Sequence, residues 1–409
     1  MEKNILPIKK AVLIFFVFAC GYFLSCLLRA ITATLSPILT DEFNLLAGDL
    51  GLLAGGYFLG FASMQIPLGY LLDRHGPKKI VSSFLLIAII GTAAFALAQN
   101  FAGLLISRIL IGVGVSACLM GPLTGYRIWF ADEYQQRGNS WMLMIASTGF
   151  VFSTLPVQIL LPIFGWRWIF GGISILIFFV IILTLLFIPP WKKEVHNNNQ
   201  KNAGSLSDVW KNKFFRSTIP LGLFNYGGIM AVQTLWAGPW MIRVAGYDPL
   251  ESATGLFWIN TTMLIAFFVW GFILPKLNNL GLDTMKLMKF GLPISYLSLL
   301  TIIISGENAG AIHFIIYIFT SIVLTLTQPA VAMRFPTSLA GKSLTSFNLL
   351  IFLGSFIMQW GIGLIIDLSQ FLGRGEIQSF QISFFVYFLI CIVSYLYFIY
   401  NSKDLNENK

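Results

Sequence analysis

Long apolar runs separated by short polar breaks make up almost the whole chain. A helix of about 20 mostly apolar residues is long enough to cross a bilayer, so this pattern predicts an all-α membrane protein with twelve spanning helices. The spans are expected near residues 11–39, 49–72, 79–99, 103–126, 140–163, 168–189, 218–242, 253–275, 286–304, 309–333, 344–366 and 379–400.

A single long polar segment, Trp191 to Ser217, divides these spans into six and six. It is rich in Asn and Lys and has no hydrophobic periodicity, which is typical of a linker with room for a short surface helix. The sequence therefore predicts an N-terminal half over 1–190, a cytoplasmic linker over 191–217 and a C-terminal half over 218–409.

Composition and charge placement agree with a membrane protein. Of 409 residues, 57% are hydrophobic and only 11% are charged, too few charges to keep a protein of this size soluble. Most of the 26 Lys and Arg residues fall in the segments that would lie inside the cell. The only basic residues of the outer segments are Arg167, Arg243 and Arg374. This bias predicts a multi-pass protein of the cytoplasmic (inner) membrane, with both termini in the cytoplasm. We expect a monomer surrounded by lipid, and no nucleic-acid partner.

The first apolar run is too long for a signal peptide and lacks a small-residue cleavage pattern, so we expect it to be an uncleaved span. The four cysteines lie inside apolar runs and the three histidines are scattered. They predict no disulfide framework and no metal site. Because no catalytic triad or nucleotide-binding pattern is visible either, we expect neither an enzyme nor a cofactor.

Arg29 lies past the midpoint of the first span, where a full charge costs about 2.5 kcal/mol or more. Such a residue usually faces a cavity or a partner. The interiors of the predicted spans contain no Asp or Glu to neutralise it, and the nearest acidic residues lie at the outer ends of spans 1 and 2: Asp41, Glu42 and Asp49. Helical spacing from Arg29 defines a polar stripe on this span, consisting of Tyr22, Ser25, Cys26, Thr32 and Ser36. We interpret the stripe as the lining of a water-filled path in which Arg29 binds an anion. Extension of the side chain to the outer surface is the alternative.

Three motifs carry a family resemblance: GYLLDRHGPKK over 69–79, RILIGVG over 108–114 and GWRWIF over 165–170. The first closely resembles the signature between spans 2 and 3 of the major facilitator superfamily (MFS), and the other two support it. The resemblance covers the whole chain. It implies two pseudo-symmetric halves of six helices, a site between them at mid-membrane, and transport by alternating access.

The resemblance also implies roles for particular residues. The signature loop is expected to act as an inner gate that locks one conformation, through Gly69, Asp73, Arg74, Gly76 and Lys78. In the fourth span, Arg108 is expected to serve coupling or helix packing, whereas Gly112 and Gly114 allow close helix approach. These alternatives for Arg108 stay open.

The first span also resembles that of organic-phosphate exchangers and related organic-anion transporters, in which an arginine at this place holds the anionic group. Those exchangers pair it with a second arginine in span 7, where this chain instead offers candidate substrate contacts at Tyr226, Gln233 and Trp236. A single arginine suits a monocarboxylate or a zwitterion better than a phosphate monoester. We therefore expect a secondary active transporter of a small organic anion, with a co-transported proton or ion as an open possibility. An exporter of drugs, amphiphiles or metabolites is the alternative.

Overall fold

A computed structural model describes residues 5–191 and 205–402, and these two ranges are almost entirely helical. In the first range the helices are α1 (Ile8–Phe43), α2 (Ala47–Ser63), α3 (Gln65–Leu97), α4 (Phe101–Val115), α5 (Ala117–Trp129), α6 (Asp132–Phe152) and α7 (Leu155–Phe187). In the second they are α8 (Leu206–Lys211), α9 (Lys213–Pro220), α10 (Gly227–Ala231), α11 (Ala237–Arg243), α12 (Pro249–Asn279), α13 (Thr284–Ser305), α14 (Ala311–Thr320), α15 (Thr327–Met333), α16 (Thr337–Phe371) and α17 (Glu376–Ser402). Short 3₁₀ turns, Gly306–Asn308 and Ser321–Leu326, adjoin α13 and α14.

Nine helical stretches in the described ranges are long and apolar enough to cross a membrane. They account for nine of the twelve predicted spans. The other three, 49–72, 140–163 and 218–242, fall on helices that the structure interrupts or distorts. Large apolar side chains point outward along these helices, among them Ile304 at 74% and Phe371 at 87% exposure. A surface of this kind is stable in lipid and would aggregate in water.

Two predicted spans are interrupted near a proline. The first break separates α2 from α3 at Met64, directly before α3, which contains Pro67 in its first turn. The second lies at Ser153 and Thr154, where α7 begins with Pro156 among its first two residues. Proline is tolerated in a first helical turn because its missing N–H would have no intrahelical partner there.

Two long helices each contain one glycine with a non-helical backbone. Gly76 in α3 has φ 77° and Gly165 in α7 has φ 74°, values that glycine adopts without steric cost. Each glycine therefore marks the corner between two predicted spans that otherwise continue as one helix. At Gly76 the space for a Cβ atom is filled by the ring of Trp191, 2.2 Å away.

The predicted seventh span combines α-helical and π-helical turns. Leu221–Tyr226 and Val232–Trp236 are π-helical, and α9, α10 and α11 flank them. A π turn adds a residue to the helical repeat and is frequently found at functional sites.

The helices group into two compact units. Among the described residues, one unit contains 5–35 and 56–191, and the other contains 36–55 and 205–402. Segment 36–55, the end of α1 and the beginning of α2, belongs to the second unit. The predicted division into halves over 1–190 and 218–409 stays a prediction. The centre of the predicted linker, 192–204, and the terminal segments 1–4 and 403–409, with their predicted cytoplasmic charges, lie outside the described residues.

Candidate substrate-binding site

Arg29 is buried inside the first unit, with only 4% of its surface exposed. Three aromatic rings surround its guanidinium group. The Cζ atom lies 5.2 Å from the ring centroid of Phe61, 5.7 Å from that of Phe150 and 5.8 Å from that of Tyr57. The π faces of these rings attract a cation, so they stabilise the positive charge within a span.

Tyr57 connects α1 and α2 next to Arg29. Its hydroxyl donates a hydrogen bond to the carbonyl oxygen of Ser25, 2.9 Å away, and lies 3.1 Å from the Ser25 hydroxyl. Its ring stacks on Phe61 at a centroid distance of 6.1 Å. Because Ser25 lies one turn before Arg29, Tyr57 fixes α2 against the part of α1 that carries the charge.

Arg108 of α4 lies next to the same tyrosine and is fully buried. Its Nη1 donates a hydrogen bond to the carbonyl oxygen of Leu28, 2.8 Å away, and its Cζ lies 5.3 Å from the Tyr57 ring centroid. Its Nε and Nη2 are buried without a hydrogen-bond partner among the described residues. Two arginines therefore contact one tyrosine, and one of them binds the backbone next to the other.

Close backbone contacts surround these side chains. A Cβ atom on Gly112 would lie 2.0 Å from the carbonyl oxygen of Tyr57, and one on Gly60 would lie 2.1 Å from that of Ile109. A Cβ atom on Gly114 would lie 2.3 Å from the backbone nitrogen of Ala88 in α3. The glycines therefore let α2 and α3 lie directly against α4.

The other residues of the predicted polar stripe are also buried. Tyr22, Ser25 and Thr32 are enclosed in the first unit, and the Ser25 oxygens are used by Tyr57. The sequence did not indicate Tyr57, Phe61 or Phe150. Aromatic residues are common in apolar spans, and the sequence alone does not show which of them contact a cation.

The predicted contacts of span 7 lie in the second unit, on or next to its π-helical turns. The indole N–H of Trp236 donates to the carbonyl oxygen of Gln359, 3.0 Å away. Gln233 Nε2 donates to Asn260 Oδ1 at 2.8 Å. Tyr226 and Gln233 line a common small cavity of about 20 Å³, whereas Trp236 does not line it.

The signature loop is largely exposed. Gly69, Asp73 and Arg74 lie at the surface and Lys78 is half-buried. Arg74 Nη1 donates to the hydroxyl of Tyr70, 3.0 Å away. Within 5–191 and 205–402, no group of three or more His, Cys, Asp or Glu residues could hold a metal ion.

Comparison with known proteins places the chain in a family. The model of the Major Facilitator Superfamily matches residues 18–359. The chain belongs to the Major Facilitator Superfamily. As an MFS protein with many apolar helices, it is a multi-pass integral membrane protein of a transporter family.

Individual relatives are distant. The probable sulfoacetate transporter SauU of Cupriavidus necator is 21% identical over 252 residues, covering 57% of each chain. The quinolone resistance protein NorA of Staphylococcus aureus is 26% identical over 208 residues, covering 49% of this chain and 52% of that one. The chain thus spans between about half and three fifths of the length of these two relatives.

A solved structure shares the fold over a greater length. A bacterial homologue of the human lysosomal transporter Spinster, in an inward-facing and unoccupied conformation, superposes with a TM-score of 0.79. The superposition covers 95% of this chain and 96% of the other, at 15% identity. It supports the MFS fold and carries no information on the solute.

Proposed function

We propose that this MFS protein is a secondary active transporter that carries a small organic anion by alternating access. The single observation behind the proposal is the buried Arg29 guanidinium with three aromatic rings around it. A guanidinium keeps its proton and binds a carboxylate or sulfonate through two parallel hydrogen bonds. Arg29 would bind the anionic group, with Tyr22, Ser25 and Thr32 as further contacts on the same helix.

The aromatic rings position the guanidinium group for an anion. Cation–π contacts are worth about 0.5–2 kcal/mol each, so the rings hold the side chain in place. An anion that Arg29 binds more tightly in the closed state than in the open state would favour closure of the site around the loaded solute. The similarity to a probable transporter of sulfoacetate, an organic anion, supports the same substrate class.

The proposal also covers the orientation of the protein in the membrane and the residues of the inner gate. The distribution of lysine and arginine favours a cytoplasmic-membrane protein with both termini inside. Asp73, Arg74 and Lys78, with Gly69 and the glycine corner at Gly76, would serve as the inner gate.

Export of drugs or amphiphiles is the second candidate, because NorA is also among the similar proteins. The two candidate functions differ in the charge of the solute and in whether its binding needs Arg29. An organic cation would be repelled by this buried guanidinium, whereas a neutral amphiphile could pack on the aromatic rings without needing the arginine.

The test compares wild type with Arg29→Gln and Arg29→Lys in nanodiscs, by thermal stabilisation with carboxylates, sulfonates, phosphates, amino acids, neutral compounds and organic cations. We expect an anion to stabilise wild type, the Gln variant to lose that effect, and the Lys variant to keep part of it. Arg167→Gln is the matched control. Arg167 also lies over an aromatic ring, with its Cζ atom 4.2 Å from the ring centroid of Trp166, and it donates a hydrogen bond to the backbone carbonyl of Ala98.

Two outcomes would contradict the proposal. Either the anion stabilises Arg29→Gln as well as wild type, or only neutral and cationic compounds stabilise the wild type. If neither outcome occurs, counterflow of the stabilising anion in proteoliposomes would establish transport as distinct from binding.

A further inference from the structure

An open cavity of about 640 Å³ lies beside the glycine corner of α3, and all of its lining residues belong to the first unit. Its volume falls within the roughly 300–1,000 Å³ that is typical of ligand pockets. The described residues that line it are Arg74, His75, Lys78, Lys79, Leu185, Pro190 and Trp191. The cavity is therefore built from the corner between two predicted spans and from the segment at the end of α7.

The corner gives one side of the cavity a concentrated positive charge. Arg74, Lys78 and Lys79 are cationic, and none of the described lining residues is acidic. The neighbouring Asp73 is exposed and does not line the cavity. Arg74 donates to the uncharged hydroxyl of Tyr70, a bond that does not neutralise the guanidinium group. Arg74 and Lys79 are exposed, so their long side chains can direct their charged ends toward an anion.

The other side of the cavity is apolar and continues along the surface of α7. Leu185 lines the cavity, and the next two residues, Leu186 and Phe187, have 69% and 43% of their surfaces exposed. Helix α7 is long and apolar enough to cross a membrane, so exposed apolar side chains in its last turn lie at the edge of the hydrocarbon layer. Acyl chains are the apolar partner available at this place.

Trp191 lines the cavity between its basic and apolar sides. Its ring packs on the corner, because a Cβ atom on Gly76 would lie 2.2 Å from its Cγ atom. Tryptophan is enriched at the level of the lipid headgroups, where its amphipathic ring contacts both headgroups and acyl chains. Its position therefore agrees with a cavity that lies at the membrane surface.

We propose that this cavity binds an anionic phospholipid of the surrounding membrane. The phosphate group accepts charge-assisted hydrogen bonds from Arg74 and Lys79, and the acyl chains extend along Leu185 and the exposed residues after it. A soluble anion would use only the basic side of the cavity. A zwitterionic lipid would bind less tightly, because its own cationic group balances the phosphate. The site lies outside the Arg29 cluster, so the inference does not depend on the transported solute.

The experiment measures the Kd of individual lipids by native mass spectrometry on the full chain purified in detergent. The probes are phosphatidylglycerol and phosphatidylcholine with identical acyl chains, and glycerol 3-phosphate as the soluble anion. The test variant is Arg74→Gln/Lys79→Gln, in which both substituted side chains are exposed. If this double variant cannot be purified, Lys79→Gln alone takes its place.

The matched control is Lys286→Gln/Lys289→Gln, which removes the same number of charges. Both lysines are exposed in the first turns of α13, and neither lines the cavity. Lys289 also lies near an exposed aromatic residue, with its Nζ atom 5.7 Å from the ring centroid of Phe290. The control therefore separates a defined site from general attraction between a basic protein and an anionic lipid.

We expect wild type to bind phosphatidylglycerol about tenfold more tightly than phosphatidylcholine. Each lost charge should weaken phosphatidylglycerol binding about fivefold, so the test variant should lose the preference and the control should keep it. Phosphatidylglycerol that is brominated near the headgroup end of its acyl chains should also quench tryptophan fluorescence more than the matching phosphatidylcholine does. Trp191→Phe should remove this excess quenching.

Four outcomes would overturn the inference. They are equal binding of the two lipids by wild type, an equal loss of the preference in the test and control variants, and a preference that survives in the test variant. The fourth is excess quenching that persists in Trp191→Phe, which would place the lipid elsewhere. Binding of glycerol 3-phosphate as tight as that of phosphatidylglycerol would show a site for soluble anions and would also refute the lipid site.

Discussion

The carboxylate of Asp367 binds the N-terminus of α2 at Gly48, which lies 319 positions earlier in the chain. The backbone N–H of Gly48 donates to Asp367 Oδ2 at 2.7 Å, and that of Ala47 donates to Oδ1 at 3.0 Å. The first N–H groups of a helix have no intrahelical acceptor and form the positive end of its dipole. Asp367, near the end of α16, therefore caps a helix from which it is remote in sequence.

The same contact explains two close backbone approaches within the second unit. A Cβ atom on Gly363 would lie 2.3 Å from the carbonyl oxygen of Ala47, and one on Gly51 would lie 2.3 Å from that of Gln359. The beginning of α2 lies directly on α16, so the carboxylate reaches both N–H groups at once. Segment 36–55 groups with the C-terminal helices for this reason, which the position of a linker in sequence could not indicate.

Removal of the carboxylate should destabilise this contact. We expect Asp367→Ala to cost about 1–2 kcal/mol and to lower Tm, because two backbone donors lose a charged acceptor. Asp367→Asn should cost less, since one amide oxygen can still accept. Tryptophan fluorescence during heating of the purified protein would measure the effect.

The control for Asp367 is Glu376→Ala. Glu376 pairs with Arg243 at 3.8 Å, and the two side chains are 46% and 43% exposed. A surface pair of this kind contributes only about 0–1 kcal/mol, so Tm should hardly change. Equal effects of the two substitutions would contradict the capping role of Asp367.

Two glycines in membrane-spanning helices should respond in opposite ways to alanine. A Cβ on Gly112 would meet the Tyr57 carbonyl oxygen at 2.0 Å, so Gly112→Ala must push α2 away from α4, at a cost of about 1–3 kcal/mol. Gly172 has no atom within 4 Å of its Cβ position. Gly172→Ala should be neutral or stabilising by about 0.5–1 kcal/mol, because alanine favours a helix interior.

Tm measurements on the two variants test this prediction, and the Kd of the anion provides a second comparison. Because Tyr57 contacts both arginines, Gly112→Ala should also weaken binding of the anion, whereas Gly172→Ala should leave Kd unchanged. A Gly112→Ala protein as stable as wild type would mean that the two helices can separate without cost.

The apolar runs were sufficient to predict an all-helical membrane fold, and Arg29 stood out as a candidate site residue for the same reason. Burial in lipid imposes a strong one-dimensional pattern, and a charge that breaks it is visible without any structure. The signature over 69–79 added the family, which the match over 18–359 then established.

Other features depend on contacts that sequence periodicity does not encode. In the sequence, a cation–π partner such as Tyr57 cannot be distinguished from any other aromatic residue in an apolar span. The π turn at Gln233 adds one residue to the helical repeat, so it interrupts the periodicity on which helix prediction depends. The break at Met64 was missed because apolar composition continues across it, although Pro67 was a local indication.

Arg108 should act on the anion through Arg29 as a positioning residue. Its bond to the carbonyl oxygen of Leu28 holds the backbone next to Arg29, and its guanidinium lies against the Tyr57 ring that Arg29 also contacts. We expect Arg108→Gln to raise the Kd of the anion about tenfold, since α1 loses a charged, buried hydrogen bond at this place. Arg108→Lys keeps the charge but cannot reproduce the geometry of the guanidinium, so it should recover only part of the affinity.

A double-mutant cycle distinguishes positioning from a general loss of packing. If Arg108 acts by holding Arg29 in place, Arg108→Gln should have little further effect on residual anion binding in an Arg29→Gln protein. The coupling between the two substitutions should then be about 1 kcal/mol or more, whereas their effects on Tm need not be coupled. Additive effects on Kd would show instead that Arg108 acts on the anion independently of Arg29. In that case its buried Nε and Nη2 would be the atoms to test for direct contact with the solute.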